Sequence, residues 1–159
     1  MMTVWLLLLL ILANGAPVIA ARLLHHRFSA PVDGGIRAWD GRPLLGKSKT
    51  WRGLVAGILA CAVAAPLLGF TVTFGVVFAA LALAGDLLSS FIKRRMALAP
   101  SARASGLDQV PEALLPVAWA WWMLSFPAWQ AVGVVLLFTA GNMLFSPLLF
   151  RLGIRKQPH

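Results

Sequence analysis

The chain has 159 residues, 60% of them hydrophobic and only 12% charged, and its 14 Lys and Arg against five Asp and Glu give a formal charge of +9. With a mean hydropathy of +0.82, this composition excludes an ordinary water-soluble domain and fits one integral membrane domain. Excess positive charge can serve nucleic acid, but membrane proteins gather it in their cytoplasmic loops, so no nucleic-acid partner is expected.

Residues 4–24 form the first expected transmembrane helix, since a bilayer core takes about 20 apolar residues. A cleaved signal sequence would carry cations ahead of its apolar core, and nothing basic precedes Arg22. Asn14 and Pro17 interrupt this helix; Asn14 is either a satisfied amide beside a kink or a hydrogen-bonding group for a ligand in the bundle interior. Residues 25–50 make a polar loop rich in Gly, Pro and cations, which holds Asp33, Asp40, Lys47 and Lys49 and leads to Arg52. Thr50 is the expected N-cap of the second helix, residues 51–68. A short uncharged connection around Gly69 leads to the third helix, residues 71–92, and a second basic loop covers 93–108. The fourth, 109–126, is short, and the fifth, 129–150, precedes a basic tail. Cys61 lies inside an apolar run and reads as a small packing residue.

The cations are distributed unevenly. Seven Lys and Arg lie between Arg22 and Arg52, four between Lys93 and Arg103, and three between Arg151 and Lys156, while the connections near residues 69 and 127 hold none. The positive-inside rule therefore places the N-terminus outside and the C-terminus in the cytoplasm of a multi-pass cell (inner) membrane protein. The expectation is an all-α integral membrane protein of five transmembrane helices with a cytoplasmic-facing polar cavity. Trp5, Trp121, Trp122 and Trp129 fall at the opposite interface as an aromatic belt.

Chemistry gathers at the end of the third helix. There Asp86, Ser89, Ser90 and Lys93 follow at i, i+3, i+4 and i+7, one face of a helix. An ionisable residue at the centre of a membrane helix costs about 2.5–3.5 kcal/mol, so by default it marks a functional site. Asp108 and Glu112, four apart, align at the start of the fourth helix. Carboxylates from two helix ends, beside cations and lipid, suit Mg²⁺ carrying a phosphate-bearing substrate. The plainer alternative is that Asp86 neutralises Lys93 or Arg94 while Asp108 caps a helix. Lys47, Lys49 and Arg52 precede a helix N-terminus, where free N–H groups and the helix dipole favour phosphate. His25 and His26 sit beside Arg27 at the interface, where head-group contact is the expected role.

The stretch Gly41-Arg-Pro-Leu-Leu-Gly46-Lys47-Ser48 satisfies G-x-x-x-x-G-K-S letter for letter. A phosphate-binding loop of that kind needs a buried strand before it, and a Gly, Asp and Trp-containing loop precedes it here, so a P-loop fold is not expected.

Three stretches together resemble the CDP-archaeol synthase family, within the larger phosphatidate cytidylyltransferase group. They are Asn14…Pro17, Asp40-Gly41-Arg42 through Lys47-Ser48-Lys49-Thr50-Trp51-Arg52-Gly53, and Gly85-Asp86 through Ser90-Phe91-Ile92-Lys93-Arg94-Arg95, with Leu107-Asp108-Gln109 continuing the likeness. The resemblance implies a membrane enzyme that joins CTP to a membrane lipid phosphate, releases pyrophosphate and makes a CDP-activated lipid with Mg²⁺. The sequence departs from the family pattern at Pro111, where a second Asp is expected; Glu112 is the neighbouring carboxylate.

On this reading Asp86 and Asp108 hold the metal, with Glu112 a third ligand, and Lys93 and Arg94 hold the triphosphate. Lys47, Lys49 and Arg52 take the lipid phosphate or the nucleotide. Asp40 and Asp33 orient those cations or the ribose, and Asn14 and Ser90 complete the nucleotide side. A lipid-binding membrane scaffold and a small transporter are the alternatives; a transporter is disfavoured because no internal repeat is visible.

Overall fold

Two threonines begin helices. Thr50 Oγ1 accepts a hydrogen bond from the Gly53 amide at 3.3 Å, and Thr71 Oγ1 accepts one from the Phe74 amide at 3.1 Å. Each relieves one of the orphan N–H groups at a helix start. The computed structural model describes residues 1–98 and 109–151, the last seven by backbone only. It contains five helices: α1 (Met2–Leu24), α2 (Trp51–Leu67), α3 (Val72–Arg95), α4 (Gln109–Leu124) and α5 (Ala128–Arg151). Each packs on the next in sequence, and α5 returns to α1, which also touches α3. α2 turns into α3 through Gly69, whose φ of 85° lies in the left-handed region that favours glycine.

The helices approach closely along a stripe of small residues. Gly53, Gly57, Cys61 and Ala65 recur every four residues and form the buried face of α2. A Cβ on Gly57 would lie 2.6 Å from the Ala13 carbonyl oxygen of α1 and 3.1 Å from Leu83 of α3. That carbonyl lacks its usual helical donor because Pro17, four residues on, has no N–H. The kink and the glycine therefore belong together. Cys61 Sγ donates to the Leu9 carbonyl at 3.3 Å, so the packing role expected for it holds. Further along, Phe70, Phe74 and Phe78 stack in series and Trp119 of α4 tilts onto Phe74, with ring centroids 5.0 Å apart.

The outside of the bundle is apolar as well: Val55, Leu59, Val63 and Leu67 line an exposed face of α2. A face of that kind suits hydrocarbon rather than water. Among the described residues, α1 and α3 are long and apolar enough to cross a membrane, while α2 and the Ala128–Leu144 part of α5 are shorter apolar helices. α3 runs three residues beyond the expected Ile92, to Arg95, because Lys93, Arg94 and Arg95 in its last turn complement the negative end of the helix dipole.

The segment between α1 and α2 is an ordered lobe. Isolated antiparallel bridges pair Pro31 with Thr50 and Arg37 with Pro43. Val32 donates to the Lys49 carbonyl at 2.8 Å, and Leu44 to the Ile36 carbonyl at 3.0 Å. No named strand forms among the described residues, so the letter match to a phosphate-binding loop has no strand before it.

Candidate functional site

The lobe is organised by a buried carboxylate. Asp33 accepts hydrogen bonds from the amides of Gly35 at 3.0 Å and of Leu45 and Gly46 at 2.9 Å each. Burial by itself would raise its pKa, but the amide donors, Gly46 foremost, outweigh that and hold it below the ordinary value of 3.8. Asp33 thus orients loop backbone. The Gly46 amide that a P-loop would offer to phosphate is already taken.

From this anchor the chain runs through Lys47, which is exposed, to Lys49, which crosses to α3. Lys49 Nζ lies 2.6 and 2.5 Å from the two carboxylate oxygens of Asp86. Both side chains are about a quarter exposed, at 22% and 24%, so the pair lies at the margin of the bundle, open to a ligand. The plainer sequence alternative gave Asp86 to Lys93 or Arg94; the lobe supplies its partner instead. Next to it, Gly85 packs on α4: a Cβ there would collide with the Pro111 carbonyl and come within 2.8 Å of Glu112 Cα. The Glu112 backbone therefore lies against the residue preceding Asp86.

The rest of the expected site divides into groups. Ser89 is buried and donates to the Gly85 carbonyl at 2.9 Å, and Ser90 is buried beside it. Lys93 and Arg94 are half-buried on the next turn, and the Nε atoms of Arg52, Arg94 and Arg95 are buried with no hydrogen-bond partner among the described residues. Arg52 donates to the carbonyls of His25 at 2.9 Å and Arg27 at 2.7 Å, closing the end of α1. The α2 N-terminus is also less open than expected, because the Trp51 amide donates to Ala30 and the Gly53 amide to Thr50. Asn14 Nδ2 donates to the Leu10 carbonyl one turn back, at 3.1 Å. Asp40 receives Arg95 Nη1 at 2.5 Å. Asp108 lies outside the described residues.

Arg95 was not among the expected site residues. It closes the stretch that carries the family likeness, but a third cation at a helix end reads as a topology signal. The Asp40-Gly41 turn opposite it was the available clue, since Asp before Gly marks a tight turn that projects a carboxylate.

Among the described residues no three His, Cys, Asp or Glu side chains cluster as a ready-made metal cage. Mg²⁺ does not need one: it is commonly held by one or two carboxylates with substrate phosphates and water. The Asp86 carboxylate is a hard-oxygen donor of the kind Mg²⁺ takes, and the Glu112 backbone lies across the Gly85 contact from it.

A family model described as CarS-like CDP-archaeol synthase matches residues 1–159. A CDP-archaeol synthase of Hyperthermus butylicus is 48% identical over 62% of this chain and 59% of its own length. One from Thermococcus kodakarensis is 31% identical over 97% of this chain and 93% of its own length. A solved structure of an intramembrane enzyme for archaeal membrane lipids biosynthesis superposes with a TM-score of 0.70 at 34% identity, covering 88% of this chain and 92% of that one.

Proposed function

Since the chain belongs to the CDP-archaeol synthase family, we propose that it is a membrane nucleotidyltransferase that transfers the cytidylyl group of CTP to a membrane lipid phosphate and releases pyrophosphate. The observation that carries this reading is the Lys49–Asp86 pair. It joins two sequence motifs 37 residues apart into one charged centre beside lipid.

The reaction needs little covalent help from protein. A lipid phosphate oxygen attacks the α-phosphorus of CTP in line with the departing pyrophosphate, and positioning and charge stabilisation carry such a transfer. Asp86 and Glu112, with Asp108, would hold Mg²⁺, which when bound neutralises phosphate charge. Lys49, released from Asp86 as ligands arrive, turns its ammonium to a phosphate. Lys47 lies exposed two residues away to meet a second. Lys93 and Arg94, cations in the last turn of α3, hold the triphosphate by charge. Asp40 and Arg52 shape the lobe, Asp33 holds its backbone, and Asn14 and Ser90 border the site from α1 and α3.

The five helices cross the cell membrane with the N-terminus outside, the lobe and C-terminus in the cytoplasm, and a polar cavity open to the cytoplasm. The lipid tails remain between helices while the head groups meet. The test is purified protein in lipid with Mg²⁺, CTP and a panel of ether- and ester-linked lipid phosphates, followed as CDP-lipid by mass spectrometry and as released pyrophosphate. Product that disappears in Asp86→Asn supports the reading; no product with any lipid or nucleotide, from folded protein, overturns it.

A further inference from the structure

Lys49 belongs to a lobe and Asp86 to a helix, so something must hold one against the other. The base of the lobe is tied by Arg52 and the Pro31–Thr50 bridge. Its far turn is tied to α3 by a group of contacts centred on Arg95. Arg95 Nη1 meets the Asp40 carboxylate at 2.5 Å, and Nη2 donates to the carbonyls of Pro43 at 2.6 Å and Arg42 at 3.4 Å. Arg42 Nη1 answers by donating to the Arg95 carbonyl at 2.8 Å. The guanidinium also lies over Trp39, 5.4 Å from the ring centroid, and over Phe91, 5.3 Å away. Those two rings meet edge-on, with centroids 6.2 Å apart.

We propose that Arg95 is a positioning residue that latches the 37–43 turn onto the end of α3 and so sets the reach of Lys49 to Asp86. The inference rests on the cytidylyltransferase reading for its kinetic consequence, but the latch itself does not. A planar fork serves a carboxylate and a carbonyl at once while stacking on aromatic rings, which a lysine cannot do. Both terminal nitrogens of Arg95 are engaged by the lobe. A displacement of about 1 Å at a reacting centre can cost about 100-fold in rate, so loss of a latch 9 residues along α3 from Asp86 should be felt in catalysis.

A double-mutant cycle with Arg95→Gln and Asp40→Ala tests this, because Asp40 bears no positive charge with which to bind phosphate. The expected result has two parts. Either variant alone lowers kcat/KM for CTP by about 100-fold, and the double variant is no worse than either. Hydrogen exchange across residues 37–50 accelerates equally in all three, while α1–α3 stay protected, which shows that the bundle has folded. Arg95→Lys, which keeps charge but not the fork, falls between wild type and Arg95→Gln. A large defect in Arg95→Gln with none in Asp40→Ala would mean that Arg95 acts on the substrate directly, and unchanged exchange in the lobe would mean that there is no latch; either result overturns the proposal. A wild-type protein that makes no CDP-lipid counts against the cytidylyltransferase reading alone, because the exchange comparison still decides the latch.

Discussion

Lys49 grips Asp86 by both carboxylate oxygens, so one ammonium closes a centre formed from the last residues of a loop and the fourth turn of α3. A partly exposed pair of this kind adds little to stability, about 0–1 kcal/mol. In the proposed mechanism the pair holds the two groups ready for ligands that separate them.

Asp86→Asn should therefore abolish CDP-lipid formation, by about 100-fold or more, while changing thermal stability by about 1 kcal/mol or less. Lys49→Met should do the same. Parallel activity assays and melting curves check both. An unfolded Asp86→Asn variant would mean that the pair is structural.

Glu112→Gln should raise the Mg²⁺ concentration needed for half-maximal activity about tenfold or more, consistent with the loss of one metal-organising carboxylate. A metal titration at saturating CTP is the check. An unchanged titration would leave the metal to Asp86 and Asp108.

Asp33→Ala should loosen the lobe. Three amides lose a charged acceptor, and each hydrogen bond to a charged group contributes about 1.5–3 kcal/mol. The pH dependence follows from the same contacts. The folded pKa lies below 3.8, so the contribution is complete above the ordinary value and is lost as pH falls through the lower, folded one. Hydrogen exchange of residues 44–47 should accelerate in acid below about pH 4 in the wild type, whereas in Asp33→Ala it should already be fast at neutral pH.

Gly85→Ala should separate α3 from α4, since its methyl would collide with the Pro111 carbonyl. Overpacking of this kind costs about 1–3 kcal/mol. It would also shift Asp86 relative to Glu112, so activity should fall together with the melting temperature. Gly133→Ala, where the added Cβ meets nothing within 4 Å, is the matching control with little effect on either.

Much of this arrangement is legible in the sequence. The five apolar stretches, the Thr50 cap and the suspicion that falls on Asp86 all follow from neighbours close in sequence, because helix periodicity, capping and the cost of a buried charge are local properties. Family likeness added the chemistry through stretches that are themselves continuous. Partners were another matter. Asp33, Asp40, Lys49 and Arg95 are all visible as charges, yet nothing local says that Asp33 would bind loop amides, that Asp40 would take Arg95, or that Lys49 rather than Lys93 would reach Asp86. Those choices depend on how a loop tied by two small bridges folds back over a helix end, and on how closely α1, α2 and α3 approach across Gly57. By itself, then, the sequence determined which segments are helical and apolar and which residues are too costly to be idle, since each of those depends on near neighbours. The tertiary structure alone decided which charge meets which, because an ion pair forms between whatever the long-range packing of helices and turns brings within about 4 Å.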